Sequence, residues 1–302
     1  MCKNIFKLLN VICIGICILT SFLFFSSVEA KRDKRPYQYN LSVMAMFQDE
    51  GDYLKEWIEY HLMLGVQHFY LYNHNSKDHF LKVLAPYIAN GIVDYIDYSQ
   101  PGYPQNEAIK DVLGKAKYKT KWLAVIDIDE FFLPKKNTTL TEFLSNYESY
   151  AGVTVNWQCF GTSQVPFILP GELMLEHLTF RADSHFGWNS HVKCIVRPER
   201  VKDVVNTHCF TYKSPYFAVR PNKTKQEHSH DSPIQTDLIV LNHYWTKDEH
   251  FLMNVKVPRC ETMKKWSKEQ TIASANEMNA VEDRLLVEKF IKQLKNRMGK
   301  NP

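Results

Sequence analysis

Asp127, Asp129 and Glu130 interrupt an otherwise apolar run, WLAVIDIDEFFLP at 122–134. Acids in such company must be solvated, paired or bound to a cation. Residues two apart on an extended chain point the same way, so Asp127 and Asp129 repel unless a cation joins them. Hard oxygen ligands select Mn²⁺ or Mg²⁺, which take one or two carboxylates together with substrate phosphates. His243 follows the apolar run IVLN and can complete such a coordination sphere, although a hydrogen-bonding structural role suits it as well. Lys193 in SHVKCIV, with Lys256 and Arg259 in NVKVPR, offers the cations that a departing diphosphate needs. Glu50 in FQDEGD either favours the helix start or meets a ligand's base or sugar at the crevice floor, and Asn73 in NHNSKD either forms an Asx-turn or contacts the same ligand, whereas Asp52 and Asp78 read as caps of the helices they precede. Two other readings of the D-x-D remain: helix-capping acids, and the nucleophile pair of a metal-dependent phosphatase.

The elements that must hold these residues follow from periodicity. LSVMAMF (41–47) reads as a buried strand, and DYLKEWIEYHLMLG carries Leu54, Trp57, Ile58 and Leu62 on one helical face. The pattern recurs as strand 67–72, helix 79–91, strand 92–98, helix 105–118 and strand 122–128. Strands alternating with helices predict right-handed crossovers and a mainly parallel, doubly wound sheet, with ligands outside the carboxyl ends of its strands. Past residue 150 the alternation gives way to an irregular, strand-rich half. The polar span 215–233 reads as a flexible loop with solvated His228 and His230, and 280–298 as an amphipathic C-terminal helix.

Across 302 residues the chain is 45% hydrophobic, enough for a substantial α/β core, and its net charge of +4 is interspersed, so no basic stripe points to nucleic acid. Residues 1–30, with the apolar stretch 8–25, read as a signal peptide or a single-pass membrane anchor, which predicts an exported or membrane-associated protein. A basic linker, 31–39, precedes one domain at 40–302, whose regular half (40–150) is followed by an irregular half (151–262). Cys159, Cys194, Cys209 and Cys260 match no zinc spacing.

Four stretches in order, MFQDEGDYLKEWIEYHLMLGVQHFYLYNHNSKD, QNEAIKDVLGKAKYKTKWLAVIDIDEFF, FGWNSHVKCIVRPERV and LNHYWTKDEHFLMNVKVPR, make residues 40–262 resemble glycosyltransferase family 92 of the GT-A superfamily. The resemblance implies a GT-A-type nucleotide-diphosphosugar transferase fold, and inverting transfer of a sugar, often galactose, from a nucleotide-diphosphosugar donor (a UDP-sugar) to a glycan acceptor. It makes Asp127 and Asp129 the binders of Mn²⁺ and the donor diphosphate, with Asp127 nearer the ribose and His243 the third metal ligand. Inversion needs a carboxylate as general base; Glu249, Asp248 and Asp183 are the candidates, and Trp157 and Trp188 can stack on acceptor sugars. A non-catalytic glycan-binding protein would use the same crevice without metal or nucleotide.

Overall fold

The computed structural model describes residues 36–299 apart from 227 and 232. The expected apolar segment and most of the basic linker lie outside these residues. Among the described residues no helix is long and apolar enough to cross a membrane.

The alternation in the first half folds as read. In order come β1 (Tyr39–Phe47), α1 (Gly51–Met63), β2 (His68–Asn73), α2 (Phe80–Ala89), β3 (Val93–Asp97), α3 (Gln105–Ala116) and β4 (Thr120–Val125). β1 is buried on both faces from Leu41 to Phe47, as a central parallel strand flanked by helices requires. It pairs in parallel with β2 on one side and β4 on the other, and β2 pairs in parallel with β3. The order β3-β2-β1-β4 therefore reverses between β1 and β4. Such a reversal splays the two following loops apart and opens a crevice at the carboxyl ends of the strands.

α1 is amphipathic, and Leu54, Trp57 and Ile58 are fully buried, each worth about 1.5–3 kcal/mol in transfer from water. Its start is capped from elsewhere in the chain. Asp78 accepts from the Gly51 amide (2.6 Å) and also from the Phe80 amide (3.3 Å), so one carboxylate serves α1 and α2 together. Asp52, the expected cap of α1, makes no cap hydrogen bond and instead faces His79 at 3.6 Å. A Cβ at position 51 would lie 2.8 Å from Asp78 Oδ2, which accounts for glycine there.

The strand expected over 122–128 stops at Val125. Glu130 turns its carboxylate back to the Asp127 amide (2.8 Å), taking that donor out of the sheet ladder and closing a turn over Asp127–Asp129. The chain then enters β5 (Glu130–Pro134), which is stitched to α1 by Trp57 Nε1 on the Glu130 carbonyl (3.0 Å) and the Tyr60 hydroxyl on the Phe132 carbonyl (2.7 Å).

The second half supplies β6 (Gly152–Cys159), β7 (Phe180–Arg181), β8 (Val192–Val196), β9 (Val201–Asn206), β10 (Cys209–Tyr212), β11 (Ala218–Val219), β12 (Lys225–Gln226), β13 (Ile239–His243) and β14 (Val281–Glu282). β8 lies antiparallel between β4 and β6, while β13 runs parallel to β6 and antiparallel to β5. The span read as a flexible loop, 215–233, carries β11 and β12, which extend the sheet edge beside β6. Two-residue strands are too short to show a period. The C-terminal helix starts later than expected because Val281–Glu282 pairs with β7, and Asp283 then caps the helical run at the Leu285 amide (3.1 Å). The four cysteines of the domain are free thiols.

Candidate active site

The polar ends of the first-half strands converge as the topology demands. The His74 amide bonds the Phe47 carbonyl (2.8 Å) and the Tyr98 amide bonds the Asn73 carbonyl (2.9 Å), tying the loops after β1, β2 and β3 together. Gln105, at the start of α3, reaches across to Asp127 Oδ1 (2.9 Å). The acid turn after β4 thus sits beside Glu50, across the reversal between β1 and β4.

Four carboxylates, Glu50, Asp127, Asp129 and Glu130, meet Lys193, Lys247, Lys256 and His243. Lys193, on β8, is 1% exposed and places its ammonium 2.6 Å from Asp127 Oδ2 and 3.5 Å from Glu130 Oε2. Burial alone would strip a lysine of its charge; here Asp127 and Glu130 outweigh it and hold the ammonium above its ordinary pKa. Glu130 is fully buried, and burial pushes its carboxyl up to about 7 against the pull of Lys193. Lys247 is buried against Glu50, with its ammonium 3.4 Å from the Tyr53 ring centroid and 4.1 Å from that of Phe251. Burial raises Glu50 and lowers Lys247, each opposed by its partner. Lys247 also has φ +49°, a left-handed backbone that costs a non-glycine residue about 1–2 kcal/mol and that the buried ion pair holds in place.

Asp129 differs from Asp127. Its Oδ2 faces Lys256 at 3.3 Å and its Oδ1 faces His243 Nε2 at 3.6 Å. Burial pushes its carboxyl up, but Lys256, His243 and Lys247 together hold it well below the usual carboxylate range. The Asp129–His243 gap is wider than a hydrogen bond, and an oxygen and a nitrogen so spaced suit a small divalent cation between them, with bonds of about 2.1 Å. Tyr103, more than half exposed, stands at the rim with its ring 5.5 Å from that of His74.

The sequence pattern that defines glycosyltransferase family 92 matches residues 38–301. The chain belongs to glycosyltransferase family 92. It is 25% identical over 236 residues to a family 92 protein of Arabidopsis thaliana, covering 72% of this chain and 37% of that protein. It is 28% identical over 111 residues to a galactan β-1,4-galactosyltransferase of the same plant, covering 34% of this chain and 22% of that protein. The chain therefore spans well under half the length of these relatives. Among solved structures it is similar to S. aureus TarS 1–349 in complex with UDP (13% identity, TM-score 0.33, covering 53% of this chain and 47% of that one). It is also similar to the glucosyl-3-phosphoglycerate synthase of Mycobacterium tuberculosis with Mn²⁺, UDP and glucosyl-3-phosphoglycerate (16%, TM-score 0.28, covering 39% and 44%).

Within this family 92 chain the fold brings Glu50, Asp127, Asp129, Lys193, His243 and Lys256 into one cluster, with exposed Arg259 at its edge. It does not gather three potential metal ligands into a ready cage among the described residues. Asp127 accepts from Gln105 at Oδ1 (2.9 Å) and from Lys193 at Oδ2 (2.6 Å), so neither oxygen stands free as an aspartyl nucleophile would require. Asp248 is spent as well. Its Oδ1 caps the Phe251 amide (2.7 Å) and its Oδ2 accepts from the Ile168 amide (2.9 Å), so both of its oxygens are engaged by backbone amides. Asn73 is used by its own loop, accepting from the Ser76 amide (3.0 Å) and donating to the Tyr95 hydroxyl (3.3 Å). Glu249 and Asp183 are exposed carboxylates, and Asp183 is held by the His185 amide and ring, both 2.9 Å from its Oδ1. Trp157 is buried between the rings of His191, His208 and His243, at 4.9, 5.2 and 4.3 Å, which closes it to a sugar. His230 is anchored rather than merely solvated, its Nε2 3.0 Å from His191 Nε2.

Sequence reasoning missed Gln105 and Lys247 as parts of the cluster and singled out Glu130 among the acids of the run without giving it a place in the site. Glu130 stands next to the D-x-D and was its available signal; Lys247 and Gln105 sit in polar stretches where nothing local distinguishes them.

Proposed function

We propose that this domain transfers galactose from a UDP-sugar to a glycan acceptor with inversion, using a divalent cation, Mn²⁺ or Mg²⁺. The observation that carries the proposal is the facing pair Asp129 Oδ1 and His243 Nε2, 3.6 Å apart with Lys256 alongside, at the carboxyl ends of the parallel strands in a family 92 chain. Galactose is suggested by the galactan galactosyltransferases among its relatives. Asp129 and His243 would hold the cation, with Asp127 second to them. When bound, that cation would neutralise charge on the diphosphate and make it a better leaving group.

The chain's own residues divide the remaining work between the halves. Glu50, fixed by Lys247, orients the nucleoside from the 40–150 half. Lys193 and Gln105 hold Asp127 toward the ribose. Lys256 and Arg259 meet the negative charge that develops on the departing diphosphate. The acceptor hydroxyl gives its proton to a carboxylate of the second half, Glu249 or Asp183, both open to solvent. The apolar segment 8–25 directs the domain out of the cytoplasm, as a signal or an anchor.

The test is UDP-galactose turnover on β-1,4-galactotetraose with Mn²⁺. Asp129→Asn is expected to cost about 10²–10³-fold in kcat with the fold intact. Glu249→Gln and Asp183→Asn compete for the base, and only one should abolish transfer. Unchanged turnover in Asp129→Asn would sink the proposal.

A further inference from the structure

Trp188, Trp245 and Trp266 come from three separate stretches of the second half and meet at the surface. The Trp188 and Trp266 rings stack, with centroids 4.8 Å apart and planes 22° from parallel, and Trp245 stands edge-on to both at 5.4 and 5.9 Å. Trp188 and Trp245 rest against the buried core, and Trp266 packs on them from the outer side. All three remain partly exposed.

Trp266 lies in the turn before the helix Lys268–Glu277, and an open cleft of about 310 Å³ there is lined by Glu261, Lys264, Lys265, Trp266, Ser267 and Gln270. Lys256 links this aromatic shelf to the acids: its ammonium lies 5.2 Å from the Trp245 ring centroid and 3.3 Å from Asp129 Oδ2. The shelf therefore begins one side chain away from the carboxylate assigned to the cation.

The chemistry that fits is a pyranose ring. One sugar face presents C–H groups, which suit the face of an indole, while the hydroxyls at its edge need donors and acceptors. Indole faces rimmed by a glutamate, lysines, a serine and a glutamine supply both. A lipid would meet charge at that rim, and a second diphosphate would meet Glu261.

We propose that Trp188, Trp245 and Trp266 form an acceptor subsite that stacks a galactose ring of the glycan chain, back from the end that receives the new sugar. The identity of the ligand rests on the transferase reading above. The test is titration of the full chain with β-1,4-galactotetraose, followed by calorimetry, with and without saturating UDP. Saturable binding is expected in the wild type, with a Kd weakened about tenfold in Trp266→Ala and largely restored in Trp266→Phe. No saturable binding by the wild type under either condition would overturn the subsite, as would equal affinity in Trp266→Ala. So would self-association abolished by Trp266→Ala without sugar binding, which would give the shelf to a second copy. The donor reading is judged separately by wild-type cleavage of UDP-galactose, and its failure with oligosaccharide binding intact would leave the subsite standing.

Discussion

The two halves of the domain contribute opposite charges to one site. The acids Glu50, Asp127, Asp129 and Glu130 come from the regular βα half, while the ammonium groups of Lys193, Lys247 and Lys256, with the imidazole of His243 among them, come from the irregular half. Each ion pair is therefore also a clasp between the halves. The contrast extends to how each half treats a buried base. In the first half His61 packs among Trp57, Tyr60, Phe131 and Phe132 with its ring Nδ1 on the Trp57 carbonyl (2.8 Å), and burial lowers its pKa to about 3. In the second half Lys193 is as deeply buried yet keeps its charge, because two carboxylates face it. Burial is the same in both places; the partner decides the protonation state.

Breaking a clasp should give the largest effect on stability. Lys247→Met leaves Glu50 buried without its partner and is expected to cost about 3–5 kcal/mol in urea unfolding. Removing both charges, Glu50→Gln with Lys247→Met, should recover most of that loss, since no unpaired charge remains. A double variant no more stable than the single one would mean that the pair does not act as a unit.

The neutral histidine of the first half predicts a smaller, pH-dependent effect. The folded pKa of His61 lies below its unfolded value of 6.5, so the unfolded chain takes up the extra proton as the pH falls. Its contribution is intact above pH 6.5 and declines toward about 3. At about pH 4.5 the loss relative to neutral should be on the order of 2–3 kcal/mol, at about 1.4 kcal/mol per pH unit. His61→Phe should flatten that acid limb in denaturant midpoints taken across the range. Parallel curves for the two proteins would contradict a buried neutral His61.

How much could be read in advance follows the same division. β1 to β4 and their helices were legible because β1, β2 and β4 carry apolar runs, β3 intersperses its apolar residues with aspartates, and each helix carries its face at regular spacing. The strand expected through Asp127 failed at Val125 because a single side chain, Glu130, diverts the Asp127 amide into a turn. In the second half, β11, β12 and β14 are two residues each, and their register comes from neighbours distant in sequence. Site residues followed suit. Lys193 and Lys256 were visible as cations and His243 as a potential metal ligand beside apolar runs, but the contacts of Asp248 and Asn73 turned on backbone amides that only the folded loops bring near. The aromatic shelf was half seen, since Trp188 stood out in sequence while its partners Trp245 and Trp266 join it only through tertiary packing.

The most direct test of the central claim, that Asp129 and His243 hold a cation against a nucleotide diphosphate, is a thermal-shift measurement with UDP, with and without Mn²⁺. A ligand that binds only the folded state raises the melting temperature. The wild type should be stabilised by UDP only when Mn²⁺ is present, and Asp129→Asn should lose that stabilisation. An equal UDP shift with and without Mn²⁺, unchanged in Asp129→Asn, would contradict it.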